Sequence, residues 1–148
     1  LVESAAAEYG LDPLLLLSMI WQESLFESFV RSWAGAQGLT QVIPSTGEYI
    51  AQQMDWSAYR NDDLFKPFVS ISFGAYYLAE QMQRFGGDPF AALSAYNAGP
   101  GNAAVWFDLA PGDPDAFLEI VTLNEPRRYL QGVYTRYAIY RAAYGRQG

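Results

Sequence analysis

The chain contains no cysteine and no histidine, and Lys66 is its only lysine. Without cysteine there is no disulfide framework, no zinc-thiolate site and no thiol nucleophile. Without histidine the Ser-His-Asp machinery, the commonest metal ligand and the usual neutral-pH base are all excluded. Any acid-base chemistry must then fall to carboxylates, Tyr, Lys or Arg. Positive charge is scarce as well. Nine Lys and Arg face 16 Asp and Glu, for a net charge of −7. That balance argues against a nucleic-acid groove or an anionic membrane surface as partner. Long apolar runs are missing too. The longest, Leu14 to Trp21, is interrupted by Ser18 and is too short to span a bilayer. The acids Glu3, Glu8 and Asp12 precede it where a signal peptide carries positive charge.

What remains is apolar and aromatic. Of 148 residues 51% are hydrophobic and 16% aromatic, including 11 Tyr, 9 Phe and 4 Trp. This length is one domain's worth, enough to bury a core without staples. The pattern reads as almost entirely helical. Asp12-Pro13, Asp88-Pro89 and Asp113-Pro114 each pair an N-cap with Pro at the first helical position. Helices are expected at 13–24 (with Leu14, Leu17, Ile20 and Trp21 forming its apolar face), 44–54, 67–85, 88–96, from 113, and 126–144. Gly10 is read as the stop of a first short helix. Residues 35–42 are read as a loop with short strand pairing, 61–65 as a polar connection and 97–101 as a turn.

Two acids stand apart from the caps and solvated faces. Glu23 ends the most apolar helix, beside Trp21 and Phe26. The helix dipole and the apolar surroundings should both raise its pKa, as a general acid requires. The competing reading is an acid pointing outward at a helix end. Glu125, in Asn124-Glu125-Pro126-Arg127-Arg128-Tyr129, is read as a helix cap, with a pKa lowered by the two arginines. The small-residue loop around Gly35 and Gly38 places Gln41, a neutral amide suited to hydroxyl and acetamido groups, or else forms a tight turn with nothing bound. Tyr96 and Asn97 either line a cleft or simply end a helix.

Four blocks occur in order: Glu23-Ser24, then Gly35-Ala36-Gln37-Gly38-Leu39-Thr40-Gln41-Val42-Ile43-Pro44, then Ala95-Tyr96-Asn97-Ala98-Gly99-Pro100-Gly101, then Glu125-Pro126-Arg127-Arg128-Tyr129. Together they resemble the motifs of the soluble lytic transglycosylases, across roughly residues 5 to 145. The resemblance implies a mainly α, goose-type-lysozyme-like domain with at most a minor β element. It implies cleavage of the β-1,4 bond between N-acetylmuramic acid and N-acetylglucosamine in peptidoglycan, leaving a 1,6-anhydro end. It makes Glu23 the single catalytic acid, and Ser32, Gln41, Tyr96, Asn97, Glu125 and Tyr129 substrate-binding residues. It calls for no cofactor and no metal. Three positions depart from the family pattern: Thr40 where Met is usual, Ser28 where Pro is usual, and Pro126 where Thr is common. Thr40 is expected to alter one cleft wall.

Trp33, Tyr49, Tyr59, Tyr76, Tyr77, Tyr129 and Tyr134 are candidate sugar-stacking rings. Residues 1–148 are expected to be one catalytic domain, a monomer, taken from or maturing out of a longer exported chain of the periplasm or cell envelope. Peptidoglycan strands are the expected partner, with no nucleic acid and no transmembrane segment. A hydrolytic muramidase on the same fold and a non-catalytic glycan-binding module are the alternatives.

Overall fold

The computed structural model describes residues 1–110 and 112–145, so the last three residues of the expected domain span lie outside the described part. Among the described residues eight α-helices follow one another: α1 Val2–Tyr9, α2 Pro13–Ser24, α3 Pro44–Gln53, α4 Pro67–Arg84, α5 Pro89–Ala98, α6 Pro100–Leu109, α7 Pro114–Ile120 and α8 Asn124–Tyr144. A 3-10 turn covers Asn61–Phe65, the segment read as a polar connection. The expected strand pairing is reduced to isolated bridges, Arg31 to Gln37 and Gln37 to Val42. The mainly helical expectation therefore holds, with a minimal β element.

The three Asp-Pro starts cap their helices. Asp12 accepts from the Leu14 and Leu15 N–H groups, Asp88 from Phe90 and Ala91, and Asp113 from Asp115 and Ala116. Each satisfies donors that a helix start otherwise leaves open. The turn expected at 97–101 is shorter than that. α5 continues through Asn97 and Ala98, Gly99 alone breaks the chain, and Pro100 opens α6. The last helix begins two residues early, at Asn124, so Pro126 is its third residue. Its missing N–H is one of the unpaired donors of a first turn.

α2 is buried on most sides. Leu15, Leu16, Ser18, Met19, Ile20 and Ser24 are buried, whereas Leu14, Leu17 and Trp21 are only half-buried. The single apolar face expected at 14, 17, 20 and 21 is thus corrected: α1 and α8 both pack on this helix, so no one face is the inward one. Its buried hydroxyls are satisfied within the helix, Ser18 Oγ donating to the Leu14 carbonyl (2.6 Å) and Ser24 Oγ to the Ile20 carbonyl (3.1 Å). One large apolar cluster joins α1, α2 and α4 to α8, and a second, centred on Ile50, Leu64 and Phe73, sits under α3. Among the described residues no helix is long and apolar enough to cross a membrane.

The loop between α2 and α3 is tied down tightly. Gly38 has φ +77°, and a Cβ there would lie 1.9 Å from the Leu64 carbonyl oxygen and 2.7 Å from Ser70 Oγ. Gly38→Ala combines positive-φ strain with a backbone clash, and a loss of roughly 3 kcal/mol is expected in chemical denaturation.

Candidate functional site

Glu23 is the penultimate residue of α2, where that helix lies against α8. The contact is pinned from behind. Arg136 of α8 donates to Gln22 Oε1 (2.7 Å) and lies over the Trp21 ring, 5.1 Å from its centroid. Trp21 also stacks on Phe26 and packs on Tyr140. It therefore turns toward these rings, and the residues around the Glu23 carboxyl are different ones.

A cavity of about 540 Å³ opens over Glu23, lined by Gln22, Glu23, Asn97, Asn124, Glu125, Arg128 and Tyr129. Asn97 and Ala98 also line a hollow shared with Leu123, Glu125 and Pro126, and a further one shared with Gln41, Ile43, Thr46, Tyr77 and Tyr96. The shared walls make one continuous groove with Asn97 at its junction. Six of the seven expected site residues line it: Glu23, Gln41, Tyr96, Asn97, Glu125 and Tyr129. Ser32 does not line the cavity over Glu23. It is half-buried in the α2–α3 loop, and its Oγ accepts from the Ala36 N–H at 3.1 Å.

Glu23 is half-buried as a residue, but its carboxyl end is withdrawn from bulk water. That burial, reinforced by the negative charge of Glu125, pushes its pKa from 4.5 to about 8. Tyr129 acts in the opposite direction as a nearby hydroxyl donor. Its hydroxyl is buried, faces the carboxyl and forms no well-aligned hydrogen bond, so it is available to the carboxyl or to a ligand. The raised pKa agrees with the sequence expectation in direction, although its cause is burial in the groove and Glu125, not Trp21 and Phe26. Burial, with the charge of Glu23 next, also raises the phenols of Tyr96 and Tyr129 well above their ordinary value. Both remain O–H donors at any working pH.

The other polar groups have specific tasks. Tyr96 donates its hydroxyl to the Thr40 carbonyl at 2.8 Å. The Gln41 amide nitrogen donates to the Val30 and Gly38 carbonyls, at 3.1 and 2.9 Å. Both of its N–H groups are spent on the loop, which corrects the expected donor-and-acceptor role: only Oε1 is left for a ligand. Gln41 itself has φ 49°, and these two bonds hold it there. Asn97 makes no side-chain hydrogen bond among the described residues.

Glu125 is exposed at the second position of α8 and caps nothing. The expected pairing with Arg127 and Arg128 is absent. Arg127 donates instead to the Val121 and Glu119 carbonyls, at 3.1 and 2.9 Å, and neither arginine forms an ion pair among the described residues. Arg127, two residues on, points to another side of the helix, and Arg128, three residues on, lines the same cavity as Glu125 without forming an ion pair with it. Thr40 is fully buried and turned toward α4, so it is not part of a cleft wall as expected.

Among the candidate rings, Tyr77 lines the groove, in contact with Tyr96 at 5.5 Å between centroids. Tyr49 lies farther along it and donates to Glu80. Tyr59 and Tyr76 pack against the second apolar cluster, Tyr134 stacks on Phe90, and Trp33 projects fully into solvent. Sequence reasoning missed Gln22, Thr46, Asn124 and Arg128 as groove residues; the first three lie outside the four blocks, and Arg128, inside the last one, is read there only as a partner for Glu125. Among the described residues no group of three or more His, Cys, Asp or Glu is placed to hold a metal ion.

Comparison with known proteins shows the family and the fold. The Transglycosylase SLT domain family matches residues 1–116. Soluble lytic murein transglycosylase of Salmonella typhimurium is 35% identical over 129 residues, which cover 85% of this chain and 20% of that protein. The Escherichia coli protein of the same name is 34% identical over 81% of this chain and 19% of its own length. The chain thus spans about a fifth of the length of these two curated relatives. Among solved structures, the 70 kDa soluble lytic transglycosylase of Escherichia coli superposes with a TM-score of 0.90 at 29% identity, over 97% of this chain and 24% of that one. An inactive mutant of lytic transglycosylase Slt from Pseudomonas aeruginosa gives 0.87 at 31% identity, with the same coverage. The chain belongs to the Transglycosylase SLT domain family.

Proposed function

We propose that this domain is a peptidoglycan lytic transglycosylase of the cell envelope, with Glu23 acting first as general acid and then as general base. The observation that carries this reading is the Glu23 carboxyl, held protonated up to about pH 8 in a groove. An ordinary carboxyl is ionised there and has no proton to give.

Glu23 donates its proton to the glycosidic oxygen as the bond from that oxygen to muramyl C1 breaks. The oxygen of the substrate's own N-acetyl group bonds to C1 and carries the developing positive charge. Glu23, now a carboxylate, takes the proton of the muramyl C6 hydroxyl. O6 then bonds to C1 and the acetamido oxygen leaves, giving a 1,6-anhydro ring and a regenerated Glu23. No water is consumed. Well-oriented internal nucleophiles reach effective molarities of about 10⁵–10⁸ M, which makes an external nucleophile unnecessary. Asn97, the Tyr129 hydroxyl and Gln41 Oε1 line the path and offer hydrogen bonds to sugar hydroxyl and acetamido groups. Tyr77 offers an aromatic face. Arg128 is a free cation at the groove, useful where a net charge of −7 meets an anionic polymer.

One feature favours a second reading. Glu125 lines the same cavity as Glu23, so a pair of carboxylates could instead activate water, as in hydrolytic glycosidases. Mass spectrometry of digested glycan strands separates the two. Anhydro ends, one water lighter than reducing ends, are expected. Reducing ends alone would establish the muramidase, and intact strands would leave only a binding module.

A further inference from the structure

Thr40 and Ser70 lie 30 residues apart and form a closed set of hydrogen bonds behind the groove. The Thr40 N–H donates to Ser70 Oγ (3.1 Å), Thr40 Oγ1 donates to the Ser70 carbonyl (2.7 Å), and the two hydroxyls are 3.0 Å apart. Both residues have no exposed surface. One turn beyond Ser70 on α4, Gly74 leaves the room: a Cβ there would come within 2.5 Å of Thr40 Cβ. The face of α4 formed by Ser70 and Gly74 is therefore shaped to this one side chain. Buried hydroxyls are costly unless satisfied, and here both are, which fixes the Thr40 peptide rigidly. Its carbonyl is the acceptor of the Tyr96 hydroxyl, at 2.8 Å.

We infer that Thr40 and Ser70 are a positioning pair for the groove: their hydroxyls fix the carbonyl that holds Tyr96, and so keep the Tyr96 hydroxyl turned away from Glu23. This rests on the catalytic reading of Glu23 above. The charge of Glu23 acts on two tyrosines, Tyr96 and Tyr129, and the pair gives them different tasks. Tyr129 has a hydroxyl with no partner and stays available. Tyr96 has its hydrogen committed to Thr40 and can only offer lone pairs or its ring to the groove. Were Tyr96 released, its O–H could donate to the Glu23 carboxylate, favour the charged form and empty the proton reservoir. The other groups facing Glu23 are Glu125, Arg128 and Tyr129, all from α8. α1, also packed on α2, contributes no residue to the cavity.

The test compares Thr40→Val and Ser70→Ala with the conservative Thr40→Ser, in the parent and in a Tyr96→Phe background. Two readouts are taken: steady-state kinetics on purified peptidoglycan, and titration of the Glu23 carboxyl carbon by NMR without substrate. Thr40→Val is expected to lower kcat about tenfold with little change in KM, and to move the carboxyl titration down by about half a pH unit or more. Ser70→Ala, the smaller perturbation, moves both in the same direction and carries the test should Thr40→Val fail to fold. Thr40→Ser keeps the parent values. With Tyr96→Phe already in place, neither substitution moves the titration further. Variants that lose stability while the titration stays put would overturn the proposal, as would shifts that persist without the Tyr96 hydroxyl. The NMR arm needs no glycan cleavage, so an inactive protein would refute the transglycosylase reading and still decide this one.

Discussion

Glu23→Gln is expected to reduce cleavage of purified peptidoglycan by about 10³–10⁴-fold, with far less effect on binding to the insoluble polymer. The amide keeps the shape and hydrogen-bonding capacity of the protonated carboxyl but can neither give up its proton nor recover one. Both halves of the proposed cycle use that single group, so no residual half-reaction is left to rescue turnover. Glu125→Gln separates the alternatives. In the one-carboxylate route it removes a charge that raises the Glu23 pKa, and costs only a modest factor. In the two-carboxylate route it removes the base and is as damaging as Glu23→Gln. Parent-like activity of Glu23→Gln would refute the assignment outright.

The same Glu23→Gln substitution is expected to stabilise the fold, and to do so only above acidic pH. The Glu23 pKa is raised from 4.5 to about 8 in the folded chain. Below about pH 4.5 both folded and unfolded states hold the proton, and Glu23 costs nothing. As pH rises through that value the unfolded chain ionises while the folded chain does not, so stability falls until the folded carboxyl ionises as well, near 8. At pH 7 the penalty is about 3 kcal/mol, from roughly 2.5 pH units at 1.36 kcal/mol each. Gln carries no such penalty. Its Tm is expected to exceed that of the parent by roughly 6–12 °C at pH 7 and to match it near pH 4. A gain of equal size at both pH values would show that the effect is packing and not titration. An acid that weakens its own fold at the pH where it must hold a proton is the usual mark of a functional group.

These expectations could be reached from the sequence because local chemistry is legible there. The Asp-Pro starts at 12, 88 and 113 report caps that need only neighbouring residues. The ordered blocks identify Glu23, Tyr96 and Asn97, and α2 and α5 bring them to one groove. What was not legible depends on distant contacts or on three-dimensional direction. α6 begins at a proline, Pro100, as α2 to α5 and α7 do, but Gly99 ahead of it has no side chain to announce a cap. Glu125 sits beside two arginines in the chain, yet Arg127 turns to backbone carbonyls, Arg128 forms no ion pair among the described residues, and the charge of Glu125 acts on Glu23, a hundred residues away in sequence. Thr40 reads as a departure in a cleft motif. Its partner Ser70 and the space left by Gly74 turn it inward, and neither adjoins it in the chain. The polar tasks of Gln41 and Tyr96 are likewise settled by backbone carbonyls, which carry no residue signature.

The proposed mechanism requires that the Glu23 carboxyl keep its proton at neutral pH. Titrating its side-chain carboxyl carbon by NMR, assigned by its loss in Glu23→Gln, measures this directly. A midpoint about 8 is predicted. A midpoint near the ordinary 4.5 would contradict the account, because Glu23 would then have no proton to give the glycosidic bond.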